Sequence, residues 1–219
     1  MKIIFVRHGQ TVFNKESRYQ GHTDAELSDL GRAQAERVAD FLANKKLDAV
    51  YSSDLSRAAD TAWSIASRHG FSVVIDPALR ECGFGDWEGL TVTEIREKYP
   101  QLYADYRRDS ITYRAPGGER LENLQSRTID AVEGIARRHP NEVIAVITHG
   151  GPIRAFVCYA LEAGLESFRK IGLDNAGVTT LSREPNGCWL LEALNDACFM
   201  ENLPSDSFAH DETSAIEKR

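Results

Sequence analysis

Cysteine is scarce in this chain and never clustered: Cys82, Cys158, Cys188 and Cys198 form no CxxC pair and no His/Cys spacing of the zinc-binding kind. A zinc module is therefore not expected, and the four thiols read as reduced and mostly buried. Long apolar runs are missing too. The start, MKIIFVR, has four consecutive apolar residues before Arg7, too few for a signal-peptide core and far short of the roughly 20 needed to cross a bilayer. A cytoplasmic protein with no membrane partner is expected. Basic residues are the minority, 26 Lys and Arg against 33 Asp and Glu for a net charge of −7, so the overall field supports no nucleic-acid partner. The common phosphate motifs are absent as well. No GxxxxGK[ST] loop occurs, and GFGDWEG (residues 83–89) has the wrong spacing for a dinucleotide fingerprint and reads as a turn. His22 and Asp24 stand two apart in a polar loop without further metal ligands in a recognisable pattern, so neither metal nor cofactor is expected.

What is present is an ordinary globular composition, 42% hydrophobic and 27% charged over 219 residues, enough for one sizeable core. Apolar runs suited to buried strands occur at KIIFV, DAVYS, FSVVID, EVIAVIT, VTTLS and CWLLEAL, mostly separated by helical periodicity. That alternation predicts an α/β three-layer sandwich: a mostly parallel central sheet, helices on both faces, and an antiparallel edge strand. One domain is expected over residues 1–200. A polar, aromatic-rich, irregular insertion at 90–120 would lie over a site, and an acidic, disordered tail would follow over 201–219. Ser28 is placed to cap a helix presenting Leu30, Val38, Phe41 and Leu42, and a second helix presents Leu121, Leu124, Thr128, Val132 and Ile135. A third follows Gly150-Gly151, with Pro152 at its first position and Ile153, Phe156, Val157, Ala160 and Leu161 on one face.

The pair Arg-His recurs three times, and context separates the copies. Arg68-His69-Gly70 ends a helical stretch, where cations favour the C-terminus and glycine supplies the left-handed residue beyond it. Arg137-Arg138-His139 before Pro140 is the same kind of punctuation. Arg7-His8-Gly9 instead follows a strand directly, at the edge of an open sheet where ligands bind. Two more strands bring Arg57 and Thr148-His149-Gly150-Gly151 to that rim. Taken singly, Arg57 could pair with Asp54 or Asp60 and His149 could be a core histidine. Together, and with Arg57 in a first helical turn that disfavours cations, they point to a bound anion.

Two arginines, two histidines and a glycine-introduced helix N-terminus suit a phosphoryl dianion. A neutral histidine can attack phosphorus, since adjacent guanidinium groups disfavour its charged form. A carboxyl acid would complete the set, its pKa raised from about 4.3 to about 7 at a cost of roughly 3 to 4 kcal/mol. Glu81 and Glu88, both near the third strand, are the candidates.

These residues resemble the histidine phosphatase superfamily, which includes phosphoglycerate mutases. The ordered motifs are VRHGQTVFN, YQGHTDAELSDLGRAQA, YSSDLSRAADTA, LRECGFGDWEG, PGGE and VITHGGPIRA, within residues 3–155. The resemblance implies that His8 is the phosphorylated nucleophile, that Arg7, Arg57 and His149 grip the phosphoryl oxygens, and that Glu81 is the acid. It also implies that Asn14, Gln20, Gly21 and Gly150 bind phosphate or substrate. Compact length and PGGE favour the phosphatases, acting on a small phosphorylated metabolite, over the mutases. A non-catalytic binding module is the third reading, disfavoured because a binder needs no acid. LEALNDACFM is similar to the close of the phosphoserine phosphatase branch, with Phe199 where that branch has histidine. Arg107, Arg108 and Arg114 of the insertion are candidates for a carboxylate or second phosphate of the substrate. The oligomeric state is left open, with a homodimer as the assembly considered.

Overall fold

The computed structural model describes residues 1–201 and Leu203. Apart from Glu201 and Leu203, the stretch 201–219 read as a disordered tail lies outside the described residues. Six strands make one sheet: β1 (Lys2–Arg7), β2 (Ala49–Ser52), β3 (Val73–Ile75), β4 (Val143–Thr148), β5 (Val178–Arg183) and β6 (Trp189–Asp196), in the order β3-β2-β4-β1-β5-β6. The first four in that order are parallel, and β5 runs antiparallel to both β1 and β6. The reversed strand is thus one in from the edge. A hairpin from β5 leaves β6 outermost, with Leu190 and Leu194 half exposed on its outer face.

The helices are α1 (Val12–Lys15), α2 (Asp29–Ala43), α3 (Ser56–His69), α4 (Val92–Lys98), α5 (Pro100–Arg108), α6 (Leu121–Arg138) and α7 (Gly150–Ala160). Alternation along β1 sends Ile4 and Val6 to one face, where they pack with Val38 and Leu42 of α2 and Ala62 and Ile65 of α3. Ile3 and Phe5 go to the other, against Val132 and Ile135 of α6 and Ile153 and Phe156 of α7. This is the three-layer sandwich expected. Among the described residues no helix is long and apolar enough to cross a membrane.

Caps and faces follow local chemistry. Ser28 accepts from the Gly31 N–H and opens α2, which buries Val38 and Leu42; small residues Gly31, Ala35 and Ala39 complete its face while Leu30 and Phe41 stay partly exposed. All five expected apolar positions of α6 are buried. Helix α7 begins two residues before Pro152, so Gly150 and Gly151 take its first positions. Proline is tolerated there because first-turn N–H groups have no intrahelical acceptor. The helix stops at Ala160, and Leu161 is 49% exposed, outside the buried face.

The segment read as irregular at 90–120 instead carries α4 and α5. A capping box of Thr91 and Glu94 starts α4, and Pro100 starts α5. Seven and nine residues are too few to display a period, and they bury two residues each, Val92 and Ile95 from α4 and Tyr103 and Tyr106 from α5. Trp87, fully buried, gathers Tyr19, Val92, Ile95, Tyr103 and Tyr106 into a small separate core. Two of the four thiols, Cys188 and Cys198, prove exposed. The two other Arg-His copies are helix ends. Gly70 closes α3 in the left-handed region at φ 69°, and His139 caps α6 with its ring bonded to Tyr51 and Glu142.

Candidate active site

The carboxyl ends of β1, β2 and β4 build the site. Arg7 pairs in register with Thr148, and the His8 N–H continues the ladder to the Thr148 carbonyl at 3.0 Å. The next residues, His8 and His149, therefore come side by side with ring centroids 5.0 Å apart. From β2, the Ser53 hydroxyl lies 2.9 Å from His149 Nε2. Arg57 enters from the first turn of α3, fully buried.

His8 Nδ1 is 2.7 Å from the Gly9 carbonyl. A carbonyl only accepts, so Nδ1 carries the proton and Nε2 keeps its lone pair. Burial, then Arg57 and Arg7, push the His8 pKa well below the usual 6.5, and burial, Arg57 and His8 do the same to His149. Both rings are neutral at pH 7. Arg57 donates to the Thr23 carbonyl at 3.0 Å and the Gly21 carbonyl at 2.7 Å. Burial lowers its pKa to about 10, which leaves it charged. Among the described residues, Arg57 Nε and His149 Nδ1 are buried without a hydrogen-bond partner, an arrangement that an anion in the site would relieve. Neither Asp54 nor Asp60 holds Arg57: Asp54 is engaged by Arg80, and Asp24, 3.9 Å from Arg57, accepts from the Ser56 N–H and hydroxyl to cap α3.

The two carboxyl candidates separate by environment. Glu88 accepts from the N–H groups of His22, Thr23 and Phe84 and from the Thr23 hydroxyl. Burial would raise its pKa, but these bonds outweigh it and hold Glu88 ionised below the usual range. Its task is to shape the loop at Gly21, where φ is +56° and a Cβ would stand 2.1 Å from Glu88 Oε1. Glu81 lines the pocket and accepts from the N–H groups of Cys82 at 2.8 Å and Gly151 at 3.0 Å. Arg127 of α6 clamps the backbone that carries it, donating to the carbonyls of Ala78, Arg80 and Glu81 and pairing with Glu119, which receives the Gly83 N–H.

Arg7, His8, Asn14, Gln20, Gly21, Arg57 and Glu81 all line one pocket. His149 is not on that wall, its ring standing edge-on to His8, and Gly151 rather than Gly150 reaches it. Gly9 does not bring its N–H toward a ligand. That N–H donates to Thr61, and the missing Cβ makes room for the Gly31 backbone, which would stand 2.3 Å away. Arg107, Arg108 and Arg114 are not on the pocket wall: Arg108 pairs with Asp105 and Arg114 borders a shallow outer groove. The insertion contributes Val92 and Tyr106 instead. The cations missed were Arg18 and Arg154. The signal for Arg154 was a charged residue in the otherwise apolar α7, four positions after Gly150 and on its face. Phe199 stacks on Phe41 at 4.2 Å behind α2, away from the pocket.

A mostly parallel sheet that delivers a neutral histidine, arginine forks and a carboxyl to one cavity, with a second neutral histidine against the first, defines a protein built for phosphoryl groups. Residues 3–197 match the histidine phosphatase superfamily, branch 1, and the chain belongs to that superfamily as a phosphatase. It is 37% identical to phosphoglycerate mutase-like protein 4 of Arabidopsis thaliana over 97% of this chain and 94% of that one. It is 34% identical to the metal-independent phosphoserine phosphatase of the same plant over 92% and 84%. A solved mycobacterial glucosyl-3-phosphoglycerate phosphatase, complexed with VO3, superposes with a TM-score of 0.82 at 33% identity, covering 89% of this chain and 98% of that one.

Proposed function

We propose that this chain is a metal-independent phosphomonoesterase that hydrolyses small phosphorylated metabolites in the cytoplasm through a phosphohistidine at His8. The observation that carries the proposal is the fixed tautomer of His8: its Nδ1–H is committed to Gly9 and its Nε2 lone pair is free beside two guanidinium groups. Nε2 attacks phosphorus, the P–O bond to the alcohol breaks, and Glu81 gives its proton to the leaving oxygen. Water then attacks the phosphohistidine, losing its proton to Glu81 and releasing phosphate. Arg7, Arg57 and His149 meet the charge on the non-bridging oxygens. Asn14 and Gln20, whose amide oxygens are engaged by Thr11, offer their NH2 groups, with Gly21 shaping the loop beside Gln20 and Gly150 opening α7 next to Arg7.

The guanidinium groups of Arg7, Arg57 and Arg154 on the pocket wall support the metal-free reading, as does the metal-independent relative. Purified protein in EDTA should hydrolyse p-nitrophenyl phosphate, and His8→Ala should lose at least about 10³-fold in kcat/KM, the scale seen when a covalent nucleophile is removed. Full activity in that variant would overturn the proposal.

A further inference from the structure

Within the phosphatase reading, on which this rests, we infer that Ser53 is a positioning residue: its hydroxyl donates to His149 Nε2 and so fixes the tautomer that offers an Nδ1–H to the phosphoryl group. Register brings the pair together. Ser52 pairs with Ile147 across β2 and β4, and the Ser53 N–H continues that ladder to the Ile147 carbonyl at 3.1 Å. Ser53 and His149 thus leave adjacent strands side by side, both fully buried, with Oγ and Nε2 2.9 Å apart.

The direction of that bond follows from the other partners of each group. Among the described residues Ser53 Oγ has one further partner, the Leu55 N–H at 3.3 Å, which can only donate. The hydroxyl proton therefore takes His149 Nε2 as its acceptor, and the reverse direction would bury an O–H with no acceptor. Nε2 is then the lone-pair nitrogen, and the proton of the neutral ring sits on Nδ1. Burial, Arg57 and His8 keep that ring neutral, so its tautomer decides what it presents to an anion. Nδ1 is buried and has no hydrogen-bond partner among the described residues. As an N–H it offers a phosphoryl oxygen a donor; as a lone pair it would repel one. The two histidines share a tautomer and use its opposite ends. His8, its Nδ1–H held by the Gly9 carbonyl, presents a lone pair to phosphorus, and His149 presents a proton to oxygen.

Inorganic phosphate is the probe, its binding followed by calorimetry, which needs no turnover. Ser53→Ala should weaken it by about tenfold or more, the scale of one hydrogen bond to a charged group. In a His149→Ala background the same substitution should cost no further affinity, since Ser53 acts through that ring. In ¹⁵N NMR spectra of histidine-labelled wild type at neutral pH, the His149 resonances, identified by their loss in His149→Ala, should show a protonated Nδ1 and an unprotonated Nε2. Ser53→Ala should move both toward the values of a tautomer mixture. The inference is overturned if the wild type carries the proton on Nε2, if Ser53→Ala keeps the tautomer or binds phosphate like the wild type, or if its loss is equal with and without His149. That equal loss is what a packing role alone would give. Should circular dichroism show Ser53→Ala unfolded, the wild-type tautomer decides alone. Wild type inactive toward p-nitrophenyl phosphate would instead count against the phosphatase reading.

Discussion

Glu81 and Glu88 occupy one loop, and their hydrogen bonds give them opposite work. Glu88 collects four donors and is locked as a carboxylate that organises residues 21–23. Glu81 has two N–H partners and faces the pocket. The assignment has a kinetic signature, because an alkoxide needs a proton in order to leave and p-nitrophenolate does not. Glu81→Gln should lower kcat/KM for an alkyl phosphate by about 10²–10⁴-fold, the range for removing a general acid, and by far less for p-nitrophenyl phosphate. Equal losses on both substrates would refute the acid role. Histidines show the same dependence on setting: His8 leaves a strand into the site, whereas His69 stacks on Phe71 at the end of α3.

Elements meet at this site with little slack. Where α2 begins, a Gly31 Cβ would lie 1.8 Å from the Gln10 carbonyl oxygen, a backbone atom that cannot yield without moving the loop after β1. Gly31→Ala should therefore destabilise the protein by about 1–3 kcal/mol or more, as overpacking does, read as a lower urea midpoint. An unchanged midpoint would show that the two backbones separate easily. Arg127 joins α6 to the loop of Glu81 through three carbonyls and a carboxylate. A lysine keeps the charge but cannot span them. In Arg127→Lys, kcat/KM should fall more for alkyl phosphates than for p-nitrophenyl phosphate, with KM little changed. A uniform loss would assign Arg127 to folding only.

At the scale of the whole molecule, burying two histidines among arginines links stability to pH. Their folded pKa values lie below the unfolded value of about 6.5. The unfolded chain thus takes up protons first as pH falls, and stability is full above that value and declines below it. Each histidine should cost roughly 1 kcal/mol per pH unit in that window. Without phosphate, the melting temperature should drop between about pH 6.5 and 5, before Asp54 and Glu88 protonate, and His149→Gln should flatten the decline. A slope unchanged in that variant would mean His149 does not titrate on unfolding.

Strand runs, the capped faces of α2 and α6, and the distinction between a helix-ending Arg-His pair and one leaving a strand were legible in the linear chain. They arise from periodicity and backbone chemistry within a few residues. The family motifs likewise carried His8, Arg7, Arg57, Glu81, Asn14, Gln20 and Gly21 to one pocket. The rest depended on atoms distant in sequence. Whether Glu81 or Glu88 is tied down depends on donors from residues 22, 23 and 151, and Arg154 reaches the pocket wall through the packing of α7 on the sheet. The short helices α4 and α5 are held by Trp87 and Tyr19 from outside their own span. Local patterning encodes which elements form, whereas hydrogen bonding and desolvation, which need the packed chain, settle what each polar side chain can do.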